Sequence, residues 1–172
     1  IPIASALIDS NGCFRLNVPL PQEGFYLLGT EQGVMHPFYL KGNETIRLRF
    51  QTNGMILEGE QTPENQALSQ WEQAATLVRE HAFLYERFGG GYSTDPATFT
   101  QELEDLLRVR QQLKPEKATG NATFNSLLKA KMEADVDFYA LAYLQRNAGN
   151  LSDTIRLSNY YQKMQPEKTL QQ

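Results

Sequence analysis

The feature that most limits what this chain can fold into is a change of hydrophobic period at Gly59 to Thr62. Before it, apolar residues alternate with polar ones and Gly or Asn turns come at short, even intervals. After it, apolar residues recur every three or four positions for more than a hundred residues. A period of two belongs to strands and a period near 3.6 to helices, and neither pattern can serve the other structure. The chain therefore reads as α+β: an antiparallel β domain at 1–61 followed by a helical domain at 62–172, with Gly59 to Thr62 as the joint.

The β half is built outward from Ala4 to Phe25. A short apolar strand leads into Asp9-Ser10-Asn11-Gly12, where Asn11 and Gly12 tolerate the positive φ of a tight turn. Phe14, Leu16 and Val18 then alternate with Cys13, Arg15 and Asn17, the pattern of a half-buried strand, until Pro19 and Pro21 end it. Gly24 to Leu28 is the next apolar run. Val34 to Leu40 follows with Pro37 in its middle, which predicts an edge or bulged strand. Beyond the Lys41-Gly42-Asn43-Glu44 turn, Ile46, Leu48 and Phe50 alternate with Thr45, Arg47 and Arg49, and Thr52-Asn53-Gly54 turns into Met55, Ile56 and Leu57. Six short strands so spaced predict an antiparallel β-sandwich or open barrel. Because Ile1 to Leu7 is already strand-like, an earlier partner strand is expected, and the start at Ile1 reads as a processing boundary.

The helical half has matching start signals. Thr62-Pro63-Glu64 combines a capping hydroxyl, a proline whose missing N–H is not needed, and an acidic group at the positive end of the dipole. Leu68, Trp71, Ala75, Val78, Ala82, Tyr85 and Phe88 form the stripe that follows, and Gly89-Gly90-Gly91 stops it. A second helix runs from Asp95-Pro96 through Phe99, Leu103, Leu106 and Leu107 to Leu113. A third starts near Asn121 and carries Phe124, Leu127, Leu128, Met132, Phe138, Tyr139 and Ala142. A fourth opens at Ser152-Asp153 with Ile155, Leu157, Tyr161 and Met164. Short connections predict an antiparallel bundle.

Composition excludes several functions. With a net charge of −4, the chain lacks the basic field that nucleic acid or anionic lipid requires, so no nucleic-acid partner is expected. No apolar run reaches the ~20 residues of a membrane span. The lone cysteine, Cys13, rules out an internal disulfide and a CxxC pair within these residues. The histidines, His36 and His81, lie far apart without metal-type spacing, so no metal or cofactor is expected. Asp135 and Asp137 point to different helix faces and cannot act as a carboxylate pair. Asp135 lies close enough to the apolar stripe to be expected in a structural pair with a Lys or Arg. Glu58 and Glu60 read as solvated, and the Asn-x-Ser/Thr triplets at Asn43, Asn121 and Asn150 as chance. No catalytic residue is assigned. The triple glycine lacks the strand-before-helix setting of a phosphate loop, but its flanking Tyr85, Phe88 and Tyr92 form a candidate partner-binding lip.

The order Ile8-Asp9-Ser10-Asn11-Gly12-Cys13-Phe14-Arg15-Leu16, then Gly24-Phe25-Tyr26, then Phe38-Tyr39-Leu40-Lys41-Gly42-Asn43-Glu44-Thr45-Ile46-Arg47-Leu48, then Gly59 and Glu64-Asn65, resembles the N-terminal β domain of envelope thioredoxin/peroxiredoxin-like thiol-disulfide oxidoreductases of Gram-negative gut commensals. Tyr161 to Glu167 likewise resembles the helical linker ahead of their thioredoxin domain. Lys41-Gly42-Asn43 departs from the family's proline or acidic residue around the glycine, and no CxxC is present. The resemblance implies a non-catalytic accessory region of a periplasmic or cell-envelope protein. Residues at about 165–172 would link it to a C-terminal redox domain, and its partners would be that domain, another protein or a second copy. The competing expectation is a free-standing envelope module that binds a peptide or glycan.

Overall fold

The computed structural model describes residues 2–29, 35–51, 54–83, 94–114 and 119–147. Among these residues it is a mixed α and β fold with two small antiparallel sheets and three helices: β1 Gly24–Gly29, β2 Met35–Leu40, β3 Arg47–Gln51, β4 Gly54–Glu58, α1 Pro63–Ala82, α2 Pro96–Gln112 and α3 Ala122–Asn147. It divides into two compact units, Ile1–Asn65 and Gln66–Gln172, so the boundary falls just after the first turn of α1. The expected fourth helix and the triple-glycine segment lie outside the described residues.

In the first unit the strands form two separate ribbons, β1 with β2 and β3 with β4. Phe25 pairs with Tyr39, Tyr26 with Phe38 and Leu28 with His36, while Leu48 pairs with Leu57 and Phe50 with Met55. Residues paired across an antiparallel ladder share a face. The face carrying Leu28 and His36 therefore meets the second ribbon, because the His36 ring lies 5.9 Å from that of Phe50. Phe14 approaches Phe50 from the leading segment, at 6.1 Å. Among the described residues there is no closed barrel.

The expected first hairpin is only half present. Its turn forms: the Asp9 carboxylate accepts from the N–H groups of Asn11 and Cys13, Asp9 N–H donates to the Cys13 carbonyl at 2.8 Å, and Gly12 takes φ +77°. Yet Ala4 to Leu7 and residues 13–18 form no ladder. Phe14, Leu16 and Val18 are half-buried and the residues between them exposed, as the alternation requires. The correction is that alternation specifies an extended chain with one buried face, not a hydrogen-bonded neighbour. Leu7, expected inside a strand, is 94% exposed.

The first turn of α1 belongs to this unit and is tied to β2. The N–H and C=O of a strand residue point to the same edge, and at Tyr39 one side chain takes both. Asn65 Oδ1 accepts from Tyr39 N–H at 2.9 Å and Asn65 Nδ2 donates to the Tyr39 carbonyl at 2.9 Å. The second amide proton goes to Thr62 Oγ1 at 3.1 Å, which also caps the helix by accepting from Asn65 N–H. Beside it, the buried Glu64 carboxylate accepts from Lys41 Nζ at 3.0 Å.

In the second unit the stripe expected on α1 is the buried one: Leu68, Trp71, Ala75, Val78 and Ala82. On α2 Asp95 caps the helix by accepting from the N–H groups of Ala97 and Thr98, and Phe99, Leu103 and Leu106 are buried. Asn121 accepts from Phe124 N–H and starts α3. Phe99 stacks on Tyr143 with ring centres 3.9 Å apart, and the Tyr143 hydroxyl donates to the Thr94 carbonyl, joining α2 to α3. Two residues expected in the core of α3, Leu127 and Phe138, are instead exposed, and Val136, Ala140 and Tyr143 fill the positions facing inward.

Asn65→Leu would strip both partners from a buried strand residue. The expected cost is roughly 2–4 kcal/mol, read as a lower urea midpoint and as faster hydrogen exchange at the Tyr39 amide. Unchanged exchange there would show that the side chain does not hold the strand in solution.

Candidate functional site

The described residues that concentrate charge away from water lie between α1 and α3. Glu72 and Arg79 stand seven residues apart on α1, and Lys131 and Asp135 four apart on α3, so each pair lies along one side of its helix. Lys131 Nζ sits 2.9 Å from Glu72 Oε1 and 2.8 Å from Asp135 Oδ2. Arg79 Nη1 donates to Glu72 Oε2 at 2.8 Å. The fully buried Trp71 donates its indole N–H to Asp135 Oδ2 at 2.8 Å. Two carboxylates thus face two cations, which removes the penalty an uncompensated charge would carry in a half-buried place.

The electrostatics follow from that packing. For Lys131, burial alone would favour the neutral amine, but the Asp135 hydrogen bond and the charges of Glu72 and Asp135 outweigh it and raise its pKa. Arg79 is raised against the same opposing burial by its bond to Glu72 and by its neighbours Tyr139 and Glu72. Burial first, and the nearby Asp135 charge second, push the Tyr139 hydroxyl well above its ordinary value. Arg79, Lys131 and Tyr139 all hold their protons more firmly than the free side chains do. Holding an ammonium on its own helix and the indole N–H of Trp71, the Asp135 carboxylate ties α3 to α1.

Asp135 is therefore paired with Lys131, as expected from its place beside the apolar stripe. Asp137 is exposed, on another face. The parts played by Glu72, Arg79 and Trp71 were not anticipated; the four-residue spacing of Lys131 and Asp135 was the available signal. His81 Nδ1 lies 2.7 Å from Glu102 Oε2 and joins α1 to α2, and His36 lies in the first unit against Phe50. Glu58, expected to be solvated, is half-buried and paired with Arg49 across the ribbon. Cys13 is exposed beside its turn. Among the described residues, no group of three His, Cys, Asp or Glu is gathered to hold a metal ion. Nor is any helix there long and apolar enough to cross a membrane. The lip residues Tyr85, Phe88 and Tyr92 lie outside the described residues. Comparison of the chain with protein-family models, curated proteins and solved structures finds no match.

The pH dependence has a definite sign. Lys131 and Tyr139 both have folded pKa values above their unfolded ones, so their contribution is complete below about pH 10, the ordinary tyrosine value, and is lost as pH climbs through the folded values. Stability should therefore hold through neutral pH and fall above about pH 10, where the unfolded tyrosine and lysine lose protons that the folded ones keep. In Tyr139→Phe the urea midpoint should fall less steeply over that alkaline range; a slope identical to that of the parent chain would remove Tyr139 from the account.

Proposed function

We propose that this chain is the non-catalytic accessory and interaction region of a periplasmic or envelope-anchored thioredoxin-like thiol-disulfide oxidoreductase. It positions the redox domain or selects that domain's protein partner, and contributes no chemistry of its own. The observation that carries the reading is the order of turn and strand motifs from Asp9 to Asn65. Support comes from how those motifs are used. Asp9, Gly12, Gly42, Asn43 and Gly59 serve as turn residues, the glycines and Asn43 with positive φ, and Asn65 spends its amide on holding a strand. In this reading the two ribbons are parts of one antiparallel β-sandwich or open barrel, an arrangement favoured by the rings of Phe14, His36 and Phe50. The helices that follow form an antiparallel bundle leading to the redox domain.

A second reading, a free-standing envelope module for a peptide or glycan, is favoured by one exposed end of the first ribbon, away from the buried Tyr39. Leu27 and Met35 stand there largely exposed, on the same face as Pro37. In that case this end of the ribbon, or the Tyr85, Phe88 and Tyr92 lip, makes the contact.

The 172-residue chain should fail to speed insulin reduction by dithiothreitol, because Cys13 alone cannot close a disulfide within one site. Turnover that persists in Cys13→Ser would overturn the non-catalytic assignment. The redox parentage is tested separately in the source gene. A Trp-Cys-x-x-Cys within the ~100 codons after Gln172, about one small domain, is the expected result; a stop codon directly after Gln172 would refute it and leave the binding module.

A further inference from the structure

α3 is apolar on two sides. One side, with Phe124, Leu128, Met132, Val136, Tyr139 and Tyr143, is buried. On the other, Leu127, Ala130, Ala134, Phe138 and Leu141 follow one another at steps of three and four, covering only about 80° of arc on a helix of 3.6 residues per turn. All five are exposed: Leu127 is 38%, Phe138 58% and Leu141 45% accessible, and both alanines are open to solvent. A surface helix has reason to be apolar on the side that meets its own core, and none on the opposite side unless something else covers it. The Phe138 ring is also held in place, 5.1 Å from that of Phe83.

We propose that this face of α3 binds the same face of a second copy of the chain, antiparallel, across a two-fold axis passing at Ala134. The pattern itself selects that partner. A two-fold interface must be self-complementary, with residue i meeting residue j and j meeting i, and this stripe has that property about Ala134. Positions equidistant from it meet: Leu127 comes level with Leu141 of the second copy, Ala130 with Phe138, and Ala134 with itself. Leu127, Ala130, Lys131 and Ala134 form the i, i+3, i+4, i+7 diamond that receives a knob from a facing helix. The two alanines make it deep enough for the Phe138 ring of the second copy. The Lys131 head is drawn aside by Glu72 and Asp135, so only its aliphatic stem borders the diamond. The large ring of Phe138 therefore meets the small Ala130 on either side of the axis, Leu127 packs on Leu141 at the two ends, and Phe138 is the expected anchor. The inference is independent of the redox reading, since it needs only this chain.

Sedimentation of the full chain should show a concentration-dependent dimer. Phe138→Asp should weaken association at least ~30-fold, as expected for an interface anchor, with unchanged far-UV circular dichroism because Phe138 contributes little to the core. In a Cys13→Ser background, Ala134→Cys should oxidise rapidly to a covalent dimer while Glu133→Cys, exposed but off the stripe, should not. The crosslink reads the same geometry if Phe138→Asp loses its fold. A chain that stays monomeric at all concentrations, as it would if its own residues beyond Asn147 or a different protein covered the face, would overturn the proposal. Equal crosslinking of the two cysteine variants would overturn it too.

Discussion

The amide of Asn65 is the contact on which the β unit depends. It accepts from the N–H and donates to the C=O of Tyr39, the two bonds that a neighbouring strand would otherwise make, and spends its last proton on Thr62. A side chain thus ends the sheet at a place where a backbone edge would stay open to further pairing. The arrangement works because Thr62 caps the helix and fixes the turn that carries Asn65. It also works because Tyr39 is immobilised from its other end, its hydroxyl donating to Glu23 and its ring lying edge-on to Phe25 at 5.7 Å. Losing any one of these loosens the rest, which is the cooperative behaviour expected of a fully satisfied buried network.

That dependence has a structural cause. Two-stranded ribbons are marginal by themselves, since each strand has one partner and one apolar face to hide. Here two of them, among the described residues, share the task with a leading segment that makes no ladder. The rings of His36, Phe14 and Phe50 gather where the three pieces meet. With so few ladder bonds, side-chain contacts and the Asn65 clasp carry stability that a larger sheet would draw from its backbone.

This also explains what the sequence could and could not announce. Turns and caps were legible because they are local: Asp9 with Gly12, Thr62 with Pro63, Asp95 with Pro96 and Asn121 each satisfy nearby backbone groups with their own atoms. Period was legible too, so the buried side of α1 and the half-buried side of residues 14–18 follow from spacing alone. Partners were not. Alternation at Phe14, Leu16 and Val18 says which side chains turn inward and nothing about which strand lies alongside. In the helical unit, Asp135 advertised a partner through its place beside the apolar stripe, and Lys131 one turn away supplied it. Glu72 and Trp71 arrive from another helix, and only packing brings them there.

α3 shows the same limit from the opposite direction. Counting every apolar residue at helical spacing puts Leu127 and Phe138 in the core with Leu128 and Tyr139, because a run of adjacent apolar pairs satisfies two stripes at once. The fold separates them. The charged quartet fixes which stripe faces α1, since Lys131 and Asp135 reach Glu72 and Trp71 in only one rotation of α3. Turning the helix to bury Phe138 would carry both charges away from their partners, and a charge left unpaired in a half-buried place costs more than an exposed phenyl ring. The polar strut thus sets the orientation, and an apolar stripe on the outside is the consequence. A helix held in this way offers its second apolar face to whatever has a matching one.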